Sequence, residues 1–385
     1  MASRWFVLVL LLAACATAMA EPVVRALQAA RPVLKAGKAG DGLRLSLEMD
    51  TRAVHLVLAE DDSLLQAMPG AERARIARTG LRLYAGHPAG RPSGWVRMVE
   101  QAGAWSGAWS DGEDLWLLEP AGQASAGRPA SARGHVAYRL RDVTLPGLAG
   151  DQHWHTYPPI PAALRPQPSA PAAAKAALRE MDLSVVTDPE FTALHGSSRD
   201  AIVLGRVSVI DGIYTDQLGL RVRLAHLHHL DQPHTLTPTN GSALLGAFRT
   251  FMTGGAGSTL PKGAVTHLFS GKDFDGSVAG VAYVGTLCST GYGYGVDQVR
   301  SASMVTAVII AHEMGHNLGA EHDGEAGSVC ADQTGSGWIM RASVSGSSTT
   351  FSPCSLATVQ PRIEQASCLR AISTGAGIYA DGFEG

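Results

Sequence analysis

The sequence predicts two folded parts, a mainly β N-terminal domain and a C-terminal α/β (α+β) domain built on a twisted mixed sheet. In residues 21–157, apolar and polar side chains alternate with the period of strands. From residue 181 to residue 373, strand-like runs alternate with runs of helical period, which is typical of α/β domains. Between them, residues 158–180 are rich in proline and alanine and predict an extended linker.

The length and charge of the chain limit the classes of function. Its 385 residues suffice for two domains of ordinary size, and a hydrophobic content of 45% allows a normal core. The formal net charge is −3, and lysine and arginine are spread singly along the chain. We therefore expect no nucleic-acid partner. Nothing in the sequence defines the oligomeric state.

The first 20 residues predict an export signal. Arg4 precedes a short apolar run over residues 5–14, and Ala18 and Ala20 form a cleavage site of the A-x-A type. The alternative is a lipobox ending at Cys15, which would anchor the protein to the outer membrane through a lipid. We expect a secreted or periplasmic protein. No other apolar run approaches the length of a membrane span.

The N-terminal domain shows its strand pattern most clearly at two places. Leu43, Leu45 and Leu47 alternate with polar residues. Residues 105–119 form a hairpin pattern around an Asp-Gly turn and end in Glu119-Pro120.

The C-terminal domain is predicted to contain both strands and helices, and residues 374–385 form a glycine-rich tail expected to be flexible. The expected strands are residues 183–186, 220–227, 265–269 and 280–285. The expected helices are residues 202–214, 242–252, 301–318 and 353–369.

One short segment combines three histidines with a glutamate and a glycine. His312 and His316 are one helical turn apart, so both side chains leave the same helix face. Glu313 lies next to the first of them, and Gly319 can end the helix in a left-handed conformation. The resulting turn would bring in His322. Three imidazoles leave one tetrahedral position of a zinc ion open, which is the arrangement of a catalytic site.

The pattern HExxHxxGxxH resembles the signature of the metzincin metalloproteases. Asp323, directly after the third histidine, is similar to the adamalysin/reprolysin (ADAM-like) group, and the flanking likeness covers about residues 181–369. The resemblance implies a metzincin-like catalytic domain in a bacterial, secreted member of this group.

The resemblance also implies further site residues. Met340 matches the methionine of the turn that lies beneath the metal in metzincins. Gly280, Val281 and Ala282 match the edge strand that pairs with an extended substrate. The alternatives are a core methionine and an internal strand.

The activity that the resemblance implies is zinc-dependent hydrolysis of peptide bonds in proteins or peptides. Zinc activates a water molecule, and Glu313 acts as the general base. Two alternatives remain, a catalytically silent binding or adhesion module, and a structural zinc domain with Asp323 as fourth ligand. Ca²⁺ stays open as an additional ion, because no pattern in the sequence indicates its site.

Four cysteines, Cys288, Cys330, Cys354 and Cys368, lie in the C-terminal half of the exported chain and predict two disulfides. They allow three connectivities. The resemblance favours Cys288–Cys368 together with Cys330–Cys354.

The N-terminal domain resembles a reprolysin propeptide, so we expect a zymogen that is released by cleavage in the linker. No cysteine lies between residues 16 and 287, which excludes latency through a propeptide cysteine. His153 or His155 could block the zinc instead, although surface histidines are the simpler interpretation. A cluster of His226, His228 and His229 is interpreted as a solvated strand end rather than a second metal site.

Overall fold

The computed structural model describes residues 23–24, 27–36, 42–49, 52–123, 133–144, 178–231, 235–343 and 349–372. The export signal with Cys15, the two histidines at 153 and 155, nearly all of the linker and the tail lie outside these described residues. Among the helices of the described part, none is both long and apolar enough to cross a lipid bilayer.

The N-terminal domain is a closed antiparallel barrel in which each of eight strands pairs with its neighbour in the chain. The last strand pairs with the first and closes the barrel. The strands are β2 (Gln28–Ala36), β3 (Leu43–Met49), β4 (Ala53–Glu60), β5 (Arg82–Pro88), β6 (Trp95–Gln101), β7 (Ala104–Ser110), β8 (Leu115–Pro120) and β9 (His135–Arg139). A helix, α1 (Gly70–Ala77), follows β4, and a short pair, β1 (Val23–Val24) with β10 (Val143–Thr144), lies outside the barrel. The mainly β prediction and the hairpin of β7 and β8 are confirmed, whereas closure into a barrel was not predicted.

Alternation along the strands gives the barrel two apolar faces. Leu45, Leu47 and Leu56 belong to one buried cluster, in which the rings of Trp109 and Trp116 stack at 5.5 Å. The opposite face, which includes Leu117, belongs to a second cluster that continues into the C-terminal domain. The two domains therefore share one hydrophobic core.

The C-terminal domain contains a mixed sheet of six strands, as predicted. The strands are β11 (Arg179–Thr187), β12 (Leu220–His229), β13 (Val265–Ser270), β14 (Gly280–Ala282), β15 (Tyr294–Gln298) and β16 (Arg370–Ala371). Their order is β12-β11-β13-β15-β14, and β16 pairs with the start of β11. β14 runs antiparallel to β15 at the end of the sheet.

Five helices of the described residues belong to this domain: α2 (Pro189–His195), α3 (Arg199–Leu218), α4 (Gly241–Gly254), α5 (Thr306–Leu318) and α6 (Pro353–Gln365). The predicted bounds differ from those of the structure at several elements. α5 begins at residue 306 rather than 301, because residues 301–303 are irregular and residues 304–305 form a turn. α6 ends at residue 365, and β11 begins inside the predicted linker. The strand β15 was not predicted.

The barrel packs against α3, which lies between it and the C-terminal sheet. Gly212 of α3 leaves room for Trp95, since a Cβ atom there would lie 2.5 Å from the indole ring. Beside this contact, Arg97 of β6 donates to Asp211 of α3 at 2.9 Å, and both side chains are buried. Arg221 of β12 donates to Ser63 of the barrel at 2.8 Å. The interface therefore combines apolar packing with buried polar contacts.

Candidate metal centre

The helix α5 and the turn after it carry the three histidines. His312 and His316 lie one turn apart near the end of α5. The helix ends at Gly319, whose φ of 104° lies in the left-handed region that favours glycine. A Cβ atom at this glycine would also meet the Arg362 side chain at 2.6 Å. The chain then turns back and places His322 beside the other two rings, as predicted.

The three imidazoles face one another through their Nε2 atoms, which form a nearly equilateral triangle. The distances are 3.1 Å from His316 to each of the other two rings and 3.2 Å from His312 to His322. The Nδ1 atom of each ring lies within hydrogen-bond distance of an acceptor oxygen. These acceptors are Ile339 O at 2.7 Å, Ala320 O at 2.8 Å and a carboxylate oxygen of Glu325 at 2.5 Å. A proton on each Nδ1 leaves the three Nε2 lone pairs free to bind one ion.

The spacing of these nitrogens fits a zinc ion. Zinc binds imidazole nitrogen at about 2.0–2.1 Å, so tetrahedral ligands lie about 3.4 Å apart. The triangle edges of 3.1–3.2 Å are close to that value. Burial, followed by the neighbouring imidazole, lowers the pKa of His312 and of His316 to about 3. Both rings are thus neutral at neutral pH, as metal ligands must be.

Glu313 lies next to this triangle and beneath the edge strand β14. Its side chain is buried. A Cβ atom on Gly280 would lie 2.5 Å from Cγ and 2.7 Å from Oε1 of Glu313. Only a glycine lets the strand pass so close to the carboxylate. The candidate base and the candidate substrate strand are therefore neighbours, with Val281 and Ala282 continuing β14.

Met340 is buried under α5. Its Sδ atom would lie 2.6 Å from a Cβ atom at Gly315, which lies between the first two histidines. The preceding residue, Ile339, supplies the carbonyl that accepts from His312. Met340 thus packs against the helix that carries the first two histidines.

A buried polar cluster that the sequence reading missed ties α5 to the sheet. His267 of β13 contacts Asp297 of β15 through Nδ1 and Asn317 through Nε2, both at 2.8 Å. Asn317 also donates to Tyr283 O at 2.9 Å and to Tyr294 O at 3.2 Å. Burial raises the pKa of Asp297. The position of Asn317, directly after His316, was the one available signal for this cluster.

The cysteines pair as the resemblance implied. Cys288 bonds to Cys368 and Cys330 bonds to Cys354. Asp323 lies outside the histidine group of the described residues. Its Oδ1 accepts from Ser352 at 2.6 Å and from Ser355 at 3.2 Å, at the start of α6. Asp323 therefore supports a helix start and is not placed as a fourth metal ligand.

The histidines of the second cluster, His226, His228 and His229, do not share one site but make separate contacts. His229 is buried and contacts Asp200 at 2.8 Å and Thr187 at 2.7 Å. His226 lies 4.0 Å from Glu72 of α1, and His228 is exposed. Among the described residues, the only group placed to hold a metal is the triangle of the other three histidines. The interpretation as a solvated strand end therefore describes His228 but not His229.

The chain is similar to a known protein family and to several curated proteins. Residues 177–352 match the family Reprolysin_5, described as metallo-peptidase family M12. Disintegrin and metalloproteinase domain-containing protein 22 of Homo sapiens is 26% identical over 271 residues, which are 67% of this chain and 30% of that protein. Disintegrin and metalloproteinase domain-containing protein 15 of Mus musculus is 27% identical over 308 residues, which are 74% of this chain and 34% of that protein. The chain thus spans about a third of the length of these curated relatives.

A solved structure also matches. The crystal structure of metalloproteinase-II from Bacteroides fragilis has a TM-score of 0.48 and 10% identity, and the match covers 82% of this chain and 90% of that one. The family match coincides with the domain that contains the histidine triangle. A metallopeptidase of this family implies a zinc cofactor and protein substrates. Residues 177–352 therefore match metallo-peptidase family M12, and this match and the curated relatives support an adamalysin/reprolysin-like metalloprotease.

Proposed function

We propose that the protein is a secreted zinc endopeptidase in which His312, His316 and His322 bind the ion and Glu313 is the general base. The observation that carries this proposal is the triangle of Nε2 atoms with edges of 3.1–3.2 Å, each ring fixed by an acceptor on its other nitrogen. The three ligands leave one tetrahedral position for a water molecule or substrate.

The chemistry divides between the ion and the chain. When bound, zinc supplies a Lewis acid that polarises a carbonyl group and lowers the pKa of water towards about 7. The Glu313 carboxylate accepts a proton from the attacking water and returns it to the leaving amine. Its side chain is buried beside β14, away from bulk water. Met340 packs against Gly315 of α5, the helix that carries two of the ligands.

The edge strand β14 is the proposed substrate-binding element. Among the described residues, it pairs with one strand only, β15. An extended peptide can add to the other edge through backbone hydrogen bonds. Gly280 brings that peptide close to Glu313, because the strand has no side chain at this point.

Export is part of the proposal and is supported by the N-terminal signal pattern and by the two disulfides. Disulfides persist in oxidising compartments. Release by a signal peptidase after Ala20 and lipidation at Cys15 give different products. Mass spectrometry of the N-terminus of the mature protein distinguishes them, because only the second leaves a lipid.

Digestion of a complex peptide library tests the activity. The purified chain, intact and after cleavage in the linker, is incubated with the library in the presence of zinc. We expect new peptide ends that disappear with a chelator and return when zinc is added back. Elemental analysis should give one zinc ion per chain. A zinc-loaded protein that cuts no peptide would instead support the catalytically silent binding module.

A further inference from the structure

A carboxylate from the barrel lies at the start of the active-site helix. Glu119, at the end of β8, has an exposed fraction of 0%. Its Oε2 accepts from the backbone N–H of Met304 at 2.6 Å, across 185 residues of sequence. Its Oε1 accepts from the hydroxyl groups of Tyr138 and Ser303. These contacts lie at the end of α5 opposite to the histidines.

The contact holds the turn that leads into the helix. The amides of the first three helix residues, 306–308, donate to the carbonyl groups of residues 303–305, so the position of this turn sets where the helix begins. Within the turn, the amide of Met304 donates to Glu119, and the amide of Val305 donates to Ser303 Oγ at 3.4 Å. A carboxyl group of the other domain therefore fixes the turn from which α5 starts.

A buried guanidinium completes this arrangement from the opposite side. Arg206 of α3 donates to Ser303 O at 2.9 Å and to Thr306 Oγ1 at 3.0 Å. Its side chain is 1% exposed and lies near Glu119. If the barrel left, this cation would lose its neighbouring carboxylate within an apolar surrounding, which is costly for a buried charge.

We infer that Glu119 is a positioning residue of the metal centre and that the barrel remains a working part of the catalytic unit after any cleavage of the linker. A helix transmits a displacement along its axis, and His312 lies six residues, about 9 Å, after Thr306, the first residue of α5. The buried pair of Arg97 and Asp211 and the packing of Trp95 on α3 hold the barrel in place. Only the measurement of kcat depends on the proposed peptidase function; the other tests of the inference do not.

Substitutions at Glu119 test the positioning role in the full-length protein. Glu119→Leu keeps the apolar bulk and removes the acceptor, whereas Glu119→Gln keeps an acceptor oxygen. Glu119→Asp withdraws the carboxylate by one methylene group, and it remains informative if the leucine variant does not fold. Arg97→Leu is the matched control, because it weakens barrel docking without touching the start of α5.

Three measurements separate positioning from docking. For Glu119→Leu and Glu119→Asp, we expect the amides at residues 304–308 to exchange hydrogen about tenfold faster and zinc to bind about tenfold more weakly. At saturating zinc, kcat should also fall, and Glu119→Gln should restore all three values. Arg97→Leu should lower Tm and leave the three values unchanged. If Arg97→Leu changed amide exchange and zinc affinity as much as the Glu119 variants do, the positioning role would be overturned. These two measurements can be made even on a protein with no peptidase activity.

A specific protease site inserted between residues 158 and 177 tests whether the barrel is retained. After cleavage, we expect the two fragments to co-elute in size-exclusion chromatography. Unfolding with a single transition should follow. Separation of the fragments, with a C-terminal fragment that still binds zinc as tightly as the intact chain, would overturn the inference. This readout requires no knowledge of a substrate.

Discussion

The two ends of α5 are held by different parts of the molecule. At its C-terminal end, Asn317 joins the helix to His267 and Asp297, all within one domain. Before its N-terminal end, the amide of Met304, in the turn that leads into the helix, donates to Glu119 of the barrel. The end that carries the histidines is therefore organised locally, whereas the other end depends on a contact between domains.

The difference shows how a catalytic helix can combine a local motif with distant support. The ligands and their left-handed glycine lie within eleven residues, from 312 to 322. The contact between Glu119 and the amide of Met304 requires the barrel to be folded and docked. A variant at the first end should change chemistry or metal binding directly, whereas a variant at the second end should act through the position of the helix.

The largest effect is expected for Glu313→Gln, at the locally organised end. The amide cannot accept the proton from water, so kcat/KM for peptide cleavage should fall by about 10²–10⁴-fold. Zinc content, measured by elemental analysis, should equal that of the unaltered protein. Glu364→Gln is the matched control, because Glu364 is exposed on α6. Activity close to that of the unaltered protein would show that Glu313 is not the base.

Asn317→Ala should give the next largest effect, on stability. It removes an amide that contacts His267 and two backbone carbonyls in a buried place, so the free energy of unfolding should fall by about 3 kcal/mol. Urea denaturation with zinc present measures the loss. Asn240→Ala removes only the cap bond to the amide of Ala243, and we expect it to cost about 1 kcal/mol. Equal losses in the two variants would mean that the polar cluster does not hold α5.

The opposite end of α5 should respond to pH. Burial raises the pKa of Glu119 to about 7, against the hydrogen bonds that it accepts. A carboxyl group whose pKa is higher in the folded state stabilises the fold below its unfolded pKa, and this stability is lost as pH rises through about 7. Between pH 5 and pH 8, the unaltered protein should therefore lose about 2 kcal/mol relative to Glu119→Gln. Denaturation curves of both proteins measure this difference, and parallel pH profiles would contradict it.

Gly280→Ala should have the smallest effect of the four, at the boundary between helix and edge strand. The added methyl group must displace the Glu313 side chain, since the two would lie 2.5 Å apart. A small misplacement of a catalytic group should lower kcat about tenfold. Gly246→Ala in α4 is the control, because a Cβ atom there meets nothing within 4 Å. Unchanged kcat for Gly280→Ala would show that Glu313 has room to relax.

How much could be predicted from the sequence follows the same division. The histidine turn and most helices could be predicted, because each depends on spacing within a short segment. The mixed sheet was expected only from the resemblance, since its strand order depends on pairing between distant segments. The roles of Glu119, Arg206 and His267 could not, because their partners lie far away in the chain. Closure of the barrel also escaped prediction, since it requires the pairing of β9 with β2 rather than any local pattern.

One consequence follows from the pairing of β16 with β11. Arg179 and Glu180, the first residues of β11, lie opposite Ala371 and Arg370, near the end of the described chain. Arg370 also forms a bidentate contact with Asp182, at 2.6 and 2.7 Å. The first strand of the domain, β11, is thus paired with its last strand, β16. A cut before residue 178 would leave this strand pair intact, because both of its strands lie downstream of that residue.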